Sequence, residues 1–286
     1  MAEGGGEVRR PPSATLHGVQ PAGLDAYLAL LAGRPESPVV ANPYRGRAGA
    51  RRLQNLRRYL QAVAGAGAAV ALVGEAPGYR GCAVTGIPFT SRAVLAADLG
   101  RWGLFAPAGY AADASLGPWR AEATAAVVWR LVPHLLPGPP LLANAFPFHP
   151  HPAGRLDANR GLTACELAEG AEYLRRLLAL LPGVAVVAVG RQSARALVLA
   201  GAAPAAVVRH PAHGGAAAFA AGLAAAAALV PPRHSRRVAE GPKSEVRSRH
   251  PTSSPGVGPR DVGRGTEDVG LRAWWRGGQG VRSHTA

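Results

Sequence analysis

Lysine is almost missing from this chain: Lys243 is the single one among 32 basic residues. A chain whose only lysine stands so close to its end has no internal amine for Schiff-base chemistry. Cysteine is scarce too. Cys82 and Cys165 are too few for a disulfide scaffold, and two thiolates cannot by themselves ligate an iron–sulfur cluster. Aromatic residues make up 6% against 48% hydrophobic, so the core must be built from Ala, Val and Leu. The 37 glycines and 26 prolines follow no period, which excludes a collagen-like repeat. The opening MAEGGGEVRRPPSA lacks an apolar signal core, and no apolar run reaches membrane-spanning length free of charges and turns. These absences predict a cytoplasmic protein with no membrane partner. Acidic residues number 17, leaving a net charge of +15, which favours a polyanionic partner.

What remains in 286 residues is enough for one sizeable core. Residues 233–286 carry 11 basic and 5 acidic side chains, and Gly, Pro and Ser are scattered through them without apolar periodicity. They read as a basic, disordered tail in which Trp274 and Trp275 could stack on bases. Residues 1–19 read as a flexible leading segment. Between them, 20–232 alternates. Ala69–Gly74, Leu141–Ala145, Val184–Val189 and Ala206–Arg209 are short apolar runs suited to strands buried on both faces. Residues 91–100, 121–132, 163–181, 192–200 and 216–229 have helical composition. Thr163 three residues before Glu166 predicts a capping box, and Leu167, Tyr173, Leu174, Leu177 and Leu178 supply the stripe behind it. Arg51–Leu60 predicts a basic amphipathic helix with Leu53, Leu56 and Leu60 on one face. Strands alternating with helices imply an α/β fold with four parallel strands and right-handed crossovers.

Ligands of such sheets bind beyond the carboxyl ends of the strands. The chemistry-bearing residues gather there. Gly74-Glu75-Ala76-Pro77-Gly78-Tyr79 follows the first strand, and Asn144 ends the second, ahead of Phe146, Phe148, His149 and His151. Gly190-Arg191-Gln192-Ser193 ends the third; Arg209-His210-Pro211-Ala212-His213 ends the fourth. The first loop has neither a Gly-Lys-Ser/Thr ending nor a GxGxxG spacing, so it is no nucleotide-phosphate cradle. A carboxylate in it suits an activated water or a cationic transition state. Pro88-Phe89, in a second turn, could offer a stacking face.

GEAPG at 74–78 and TGIPF at 85–89 resemble the catalytic-loop and base-stacking motifs of the uracil-DNA glycosylase superfamily, nearest to its thermostable iron–sulfur branch. The resemblance continues in order through Asn144, Asn159-Arg160 with Thr163 and Glu166, and His210-Pro211-Ala212, covering about 38–230. It implies a three-layer α/β/α fold and a partner, DNA containing uracil or another damaged base, associated with the nucleoid if the source is prokaryotic. It implies that Glu75 activates water and stabilises positive charge on the sugar. Phe89 stacks on the base, Asn144 pairs with the uracil edge, and His210 hydrogen-bonds the base oxygen. Gly74 and Gly78 shape the base pocket, and Gly78 stands where some relatives carry a bulky residue that excludes thymine. Arg51, Arg52, Arg57 and Arg58 on the basic helix, with Arg191 and Arg209 at strand ends, are the candidates for holding the DNA backbone.

The chain departs from that branch in its cysteines. The Glu-x-x-x-Cys element reads Glu166-Leu167-Ala168-Glu169-Gly170, so a ligand position is glycine, and no cluster, metal or other cofactor is expected. His149 and His151 lack an accompanying ligand set and read as a rigid wall, one that could reshape the base pocket or touch DNA. Asn42-Pro43-Tyr44 gains no role. The expectation is a monomeric, monofunctional glycosylase. A non-catalytic or weakly catalytic DNA-binding sensor of uracil or abasic sites, or a glycosylase for hypoxanthine or another damaged base, stays open.

Overall fold

The computed structural model describes residues 20–97, 102–105, 109–110 and 120–230. The proposed leading segment 1–19 and the tail 233–286 lie outside them. Helix α1 (Pro21–Gly33) begins with proline in its first turn, where a missing N–H leaves no bond unmade. It buries Leu24, Tyr27, Leu28 and Leu31, a spacing that lines one helical face. Strand β1 (Val40–Ala41) leads into α2 (Gly46–Gly65), which extends the expected 51–60 helix at both ends. Strand β2 (Val70–Gly74) is buried throughout. Two short helices, α3 (Cys82–Thr85) and α4 (Arg92–Ala97), precede α5 (Ala123–Leu135). Glu122 caps α5 by accepting from the N–H groups of Thr124 and Ala125 at 3.0 and 2.6 Å. Strands β3 (Leu141–Asn144) and β4 (His149–Pro150) are followed by α6 (Ala164–Leu180), β5 (Ala185–Val189), α7 (Arg191–Leu199), β6 (Ala206–Val208) and α8 (Ala216–Ala228).

Strands β2, β3, β5 and β6 form one parallel sheet in the order β3-β2-β5-β6. From β2 the chain steps to β3 in one direction, then returns past β2 to β5 and β6. Right-handed crossovers therefore put α4 and α5 on one face, and α6 and α7 on the other. The helix contacts agree: α1 packs on α2 and α6, and α6 on α7, while α5 packs on α4 and α8. This is the expected three-layer α/β/α fold. The reversal occurs at β2, which makes its carboxyl end the switch point where such sheets bind ligands.

Three features were not expected from the sequence. Helix α1 has alanine and leucine on its outer face as well, so its amphipathic contrast is weak. The β1–β4 ribbon pairs Val40 with Pro150 and Ala41 with His149, in strands too short for any alternation. Finally, β6 is an edge strand and Val207 is 56% exposed, so it is not buried on both faces.

Helix α6 lies so close to the end of β3 that a Cβ at Gly170 would stand 2.2 Å from the Ala145 carbonyl oxygen and 3.1 Å from Phe146 Cα. No side chain fits against fixed backbone at that distance. Gly170→Ala should therefore destabilise the fold by at least ~2 kcal/mol, as overpacking does. A shift in the denaturant midpoint would measure it, and an unchanged midpoint would mean that α6 moves freely.

Candidate functional site

Strands β2 and β3 end together. Gly74 pairs in register with Asn144, and the ladder runs on through Ala145 N–H to Gly74 O (2.7 Å) and Phe146 N–H to Glu75 O (3.0 Å). The backbone of Glu75 is thus fixed to the neighbouring strand end. A Cβ on Gly74 would lie 2.6 Å from Phe89 Cζ and 3.2 Å from Asn144 Oδ1. Glycine is required there because the Phe89 ring and the Asn144 amide close on that one point. Asn144 is 9% exposed, and its Nδ2 donates to Cys82 Sγ at 3.7 Å.

Phe89 is held with φ 54°, in the left-handed region that non-glycine residues avoid. Trp129 Nε1 on α5 donates to its carbonyl at 2.9 Å. On either side of it, the Thr85 and Thr90 hydroxyls meet at 2.7 Å, and Thr90 donates to Ile87 O at 2.7 Å. His213, φ 51°, is the other such residue among those described, and it lies in the loop after His210. Each conformation costs of order 1–3 kcal/mol and survives only where its surroundings impose it.

A strap at 158–163 crosses the Glu75 loop. Asn159 Oδ1 accepts from Tyr79 N–H at 3.2 Å, and Glu75 Oε1 accepts from Leu162 N–H at 3.3 Å. Arg160 anchors the strap by forking onto Glu166, at 2.8 and 2.6 Å, and by donating to His151 O and Val39 O on the β1–β4 side. The capping box is present, with Thr163 and Glu166 exchanging bonds. The Arg160 bonds, with Thr163 in support, draw the Glu166 carboxyl down to about 2. Between strap and loop is a cleft of about 370 Å³ lined by Glu75, Ala76, Pro77, Gly78, Pro150, Asn159, Arg160 and Gly161. A Cβ on Gly78 would sit 3.7 Å from the Asn159 amide, an ordinary contact.

His149 closes the back of the loop. It is buried, with Nδ1 2.9 Å from Pro77 O and Nε2 3.1 Å from Leu156 O. Burial lowers its pKa, outweighing both carbonyls. A neutral ring can donate to only one of these carbonyls, but both nitrogens are turned to main chain, so His149 is a wall rather than a ligand. Among the described residues no group of three or more His, Cys, Asp or Glu could hold a metal.

His210 is exposed as a residue, yet partial burial of its ring lowers the pKa. The charges of Glu122 and Glu75 act on it in the opposite sense. Ala212 N–H donates to Nδ1 at 3.2 Å. That nitrogen must be unprotonated, so the neutral ring carries its proton on Nε2. Gly215 permits the turn: a Cβ there would stand 2.1 Å from His210 O.

The expected arginines divide. Arg51, Arg191 and Arg209 are exposed. Arg57 pairs with Asp25 of α1 at 2.5 Å, and Arg58 donates to Gly109 O. Arg52 corrects the expectation: it is 4% exposed and donates to Pro43 O at 2.7 Å, so it holds the chain ahead of α2 and does not face DNA. Helical periodicity put it beside Arg51 but not into the core. A four-thiolate cluster does not fit either. Cys82 is buried under Asn144, Cys165 is exposed on α6, and position 170 has no room for a side chain. Asn159, Leu162, Cys82 and Tyr44 carried no task in the sequence, because contacts across 38 to 87 positions leave no local pattern.

The family model described as the uracil DNA glycosylase superfamily matches residues 62–227, from the last turns of α2 into the end of α8. No curated protein matches the chain.

The strap yields a pH dependence. The folded-state carboxyl of Glu166 is depressed, so its stabilisation is complete above pH ~4.5 and is lost as pH falls towards about 2. Glu166→Gln should cost about 1–2 kcal/mol at pH 7, allowing for solvent screening. The gap to the unchanged protein should close at acid pH. Denaturant unfolding across a pH series reads both, and parallel curves at every pH would show that the pair adds nothing.

Proposed function

The chain belongs to the uracil DNA glycosylase superfamily, and from that premise we propose that it hydrolyses the N-glycosidic bond of deoxyuridine in DNA. DNA glycosylase activity and damaged DNA as partner follow from the family; uracil as the base and the residue roles are the proposal. The observation that carries it is the convergence of the Phe89 ring and the Asn144 amide on Gly74, one residue from a carboxylate held by the strap.

Uracil presents an N3–H donor beside the O4 acceptor, and an amide answers both when Oδ1 accepts and Nδ2 donates. Stacking on Phe89 offsets part of the few kcal/mol needed to take the base out of the duplex. As the C1′–N bond breaks, its electron pair moves onto the base, and the His210 Nε2–H can stabilise the charge at O2. Water adds to C1′ and loses its proton towards Glu75. The proton taken from water passes to the uracil anion, so the products are free uracil and an abasic sugar. A monofunctional, cofactor-free route fits a chain whose only lysine is Lys243. Arg51, Arg191 and Arg209 are the exposed cations proposed to hold phosphates. The absence of a side chain at Gly78 supports a second substrate, hypoxanthine, whose O6 and N1–H repeat the uracil pattern. A monomeric catalytic unit over 20–232 completes the proposal. No helix among the described residues is long and apolar enough to cross a membrane.

Incubation with single- and double-stranded oligonucleotides carrying uracil or hypoxanthine, followed by alkali, tests the reading. Strand cleavage should need the alkali, and no product from any substrate would leave only a DNA-binding role. Glu75→Gln should lower the single-turnover rate at least ~10-fold, about 1.4 kcal/mol, while DNA affinity is largely kept. An equal rate would make Glu75 a turn residue. A chain truncated after residue 232 should release base normally at saturating DNA. Its affinity should fall at low salt, because residues 233–286 carry 11 basic against 5 acidic side chains. Loss of release at saturation, with native circular dichroism, would place part of the active site beyond residue 232.

A further inference from the structure

Asn144 can read uracil only if its amide keeps one orientation; turned over, the same side chain reads cytosine. Its Nδ2 lies 3.7 Å from Cys82 Sγ, and its Oδ1 faces the point beside Gly74 and Phe89. Cys82 is in turn 4.0 Å from the Tyr44 hydroxyl, which donates to Gly86 O at 3.0 Å. A carbonyl only accepts and a phenol has one proton, so the Tyr44 proton is committed to Gly86. The Tyr44 oxygen is then left to accept from the Cys82 S–H, and the sulfur offers lone pairs to Asn144 Nδ2. Burial pushes the Cys82 thiol up to about 12, so the S–H is present at neutral pH.

The far end of this chain of bonds is built with care. Asn42 Oδ1 accepts from Tyr44 N–H at 2.9 Å, and Arg52 holds Pro43 O at 2.7 Å. Helix α2 packs on Tyr44 so closely that a Cβ at Gly49 would be 2.3 Å from its carbonyl carbon. The Asn42-Pro43-Tyr44 element thus acquires a task. We propose that Tyr44 and Cys82 are positioning residues that fix the sense of the Asn144 amide, and so set the preference for a lactam edge such as uracil's over the amidine edge of cytosine. One Nδ2 hydrogen is held by sulfur and the other is left for O4. Without the Tyr44 hydroxyl, the S–H can turn to the amide oxygen and hold the side chain reversed.

The inference rests on the reading of Asn144 as the base-contacting residue, and its test does not need turnover. Binding is measured to single-stranded oligonucleotides with one 2′-fluoro-deoxyuridine or one 2′-fluoro-deoxycytidine, which resist hydrolysis. The unchanged protein should prefer the uracil oligonucleotide. Cys82→Ala and Tyr44→Phe should each reduce that preference at least ~5-fold, about the net effect of one hydrogen bond, and Cys82→Ser should keep it. Thermal melting identifies variants that fold, and whichever of the first two does so decides. An unaltered preference in a folded variant overturns the proposal. So does a loss in Cys82→Ser equal to that in Cys82→Ala, or no preference in the unchanged protein. Preferential binding without uracil release would leave the positioning role standing and remove the catalytic reading instead.

Discussion

The fork of Arg160 on Glu166 governs the geometry of everything around Glu75. The strap has no regular secondary structure, and apart from backbone bonds from Ala158 N–H to Arg155 O and Arg160 N–H to Pro150 O, side-chain and cap bonds fix its course. Arg160 supplies them in three directions, to α6, to the β1 side and to the β4 side. With the strap fixed, Leu162 N–H meets the Glu75 carboxylate and Asn159 meets Tyr79. A guanidinium suits this work because its planar fork matches a carboxylate and still has donors left for carbonyls. The contact couples a helix cap to a site loop 87 positions earlier in the chain.

Close approach of backbone is the second constraint. At Gly86, Gly170 and Gly215 a Cβ would lie between 2.1 and 2.5 Å from a backbone oxygen, and at Gly74 it would lie 2.6 Å from the Phe89 ring. At Gly86 the neighbour is Arg52 O of α2, which explains why that helix can bury an arginine there. The site is compact because side chains are missing at its joints. An enzyme poor in aromatics gains its packing in this way, bringing backbone to backbone where a larger core would interpose rings.

Much of this was legible in the sequence. The four strands were marked by short apolar runs; for β2, β3 and β5 the cause is that a strand covered on both faces cannot alternate. The helix over 163–181 was marked by its cap, and the site loops by glycine and proline beside Glu75 and Phe89. Apart from α1, whose amphipathic contrast is weak, what escaped has a common cause. The β1–β4 ribbon, the strap and the Tyr44–Cys82–Asn144 contacts all join segments distant in the chain, and no local pattern encodes a partner. Arg52 escaped for a related reason: a cation among arginines reads as surface until its acceptor, Pro43 O, is seen.

Phe89 sets comfort of the backbone against use of the side chain. Its φ of 54° would suit glycine, and glycine there would relieve the loop while deleting the ring that meets Asn144. Stability and the base stacking proposed for this ring therefore pull on the residue in opposite senses. A search for sturdier variants would be drawn to position 89 and would erode the pocket by succeeding. The Trp129 bond from the α5 layer holds the two demands together, so a helix on one face of the sheet meets the upkeep of a ring at its edge.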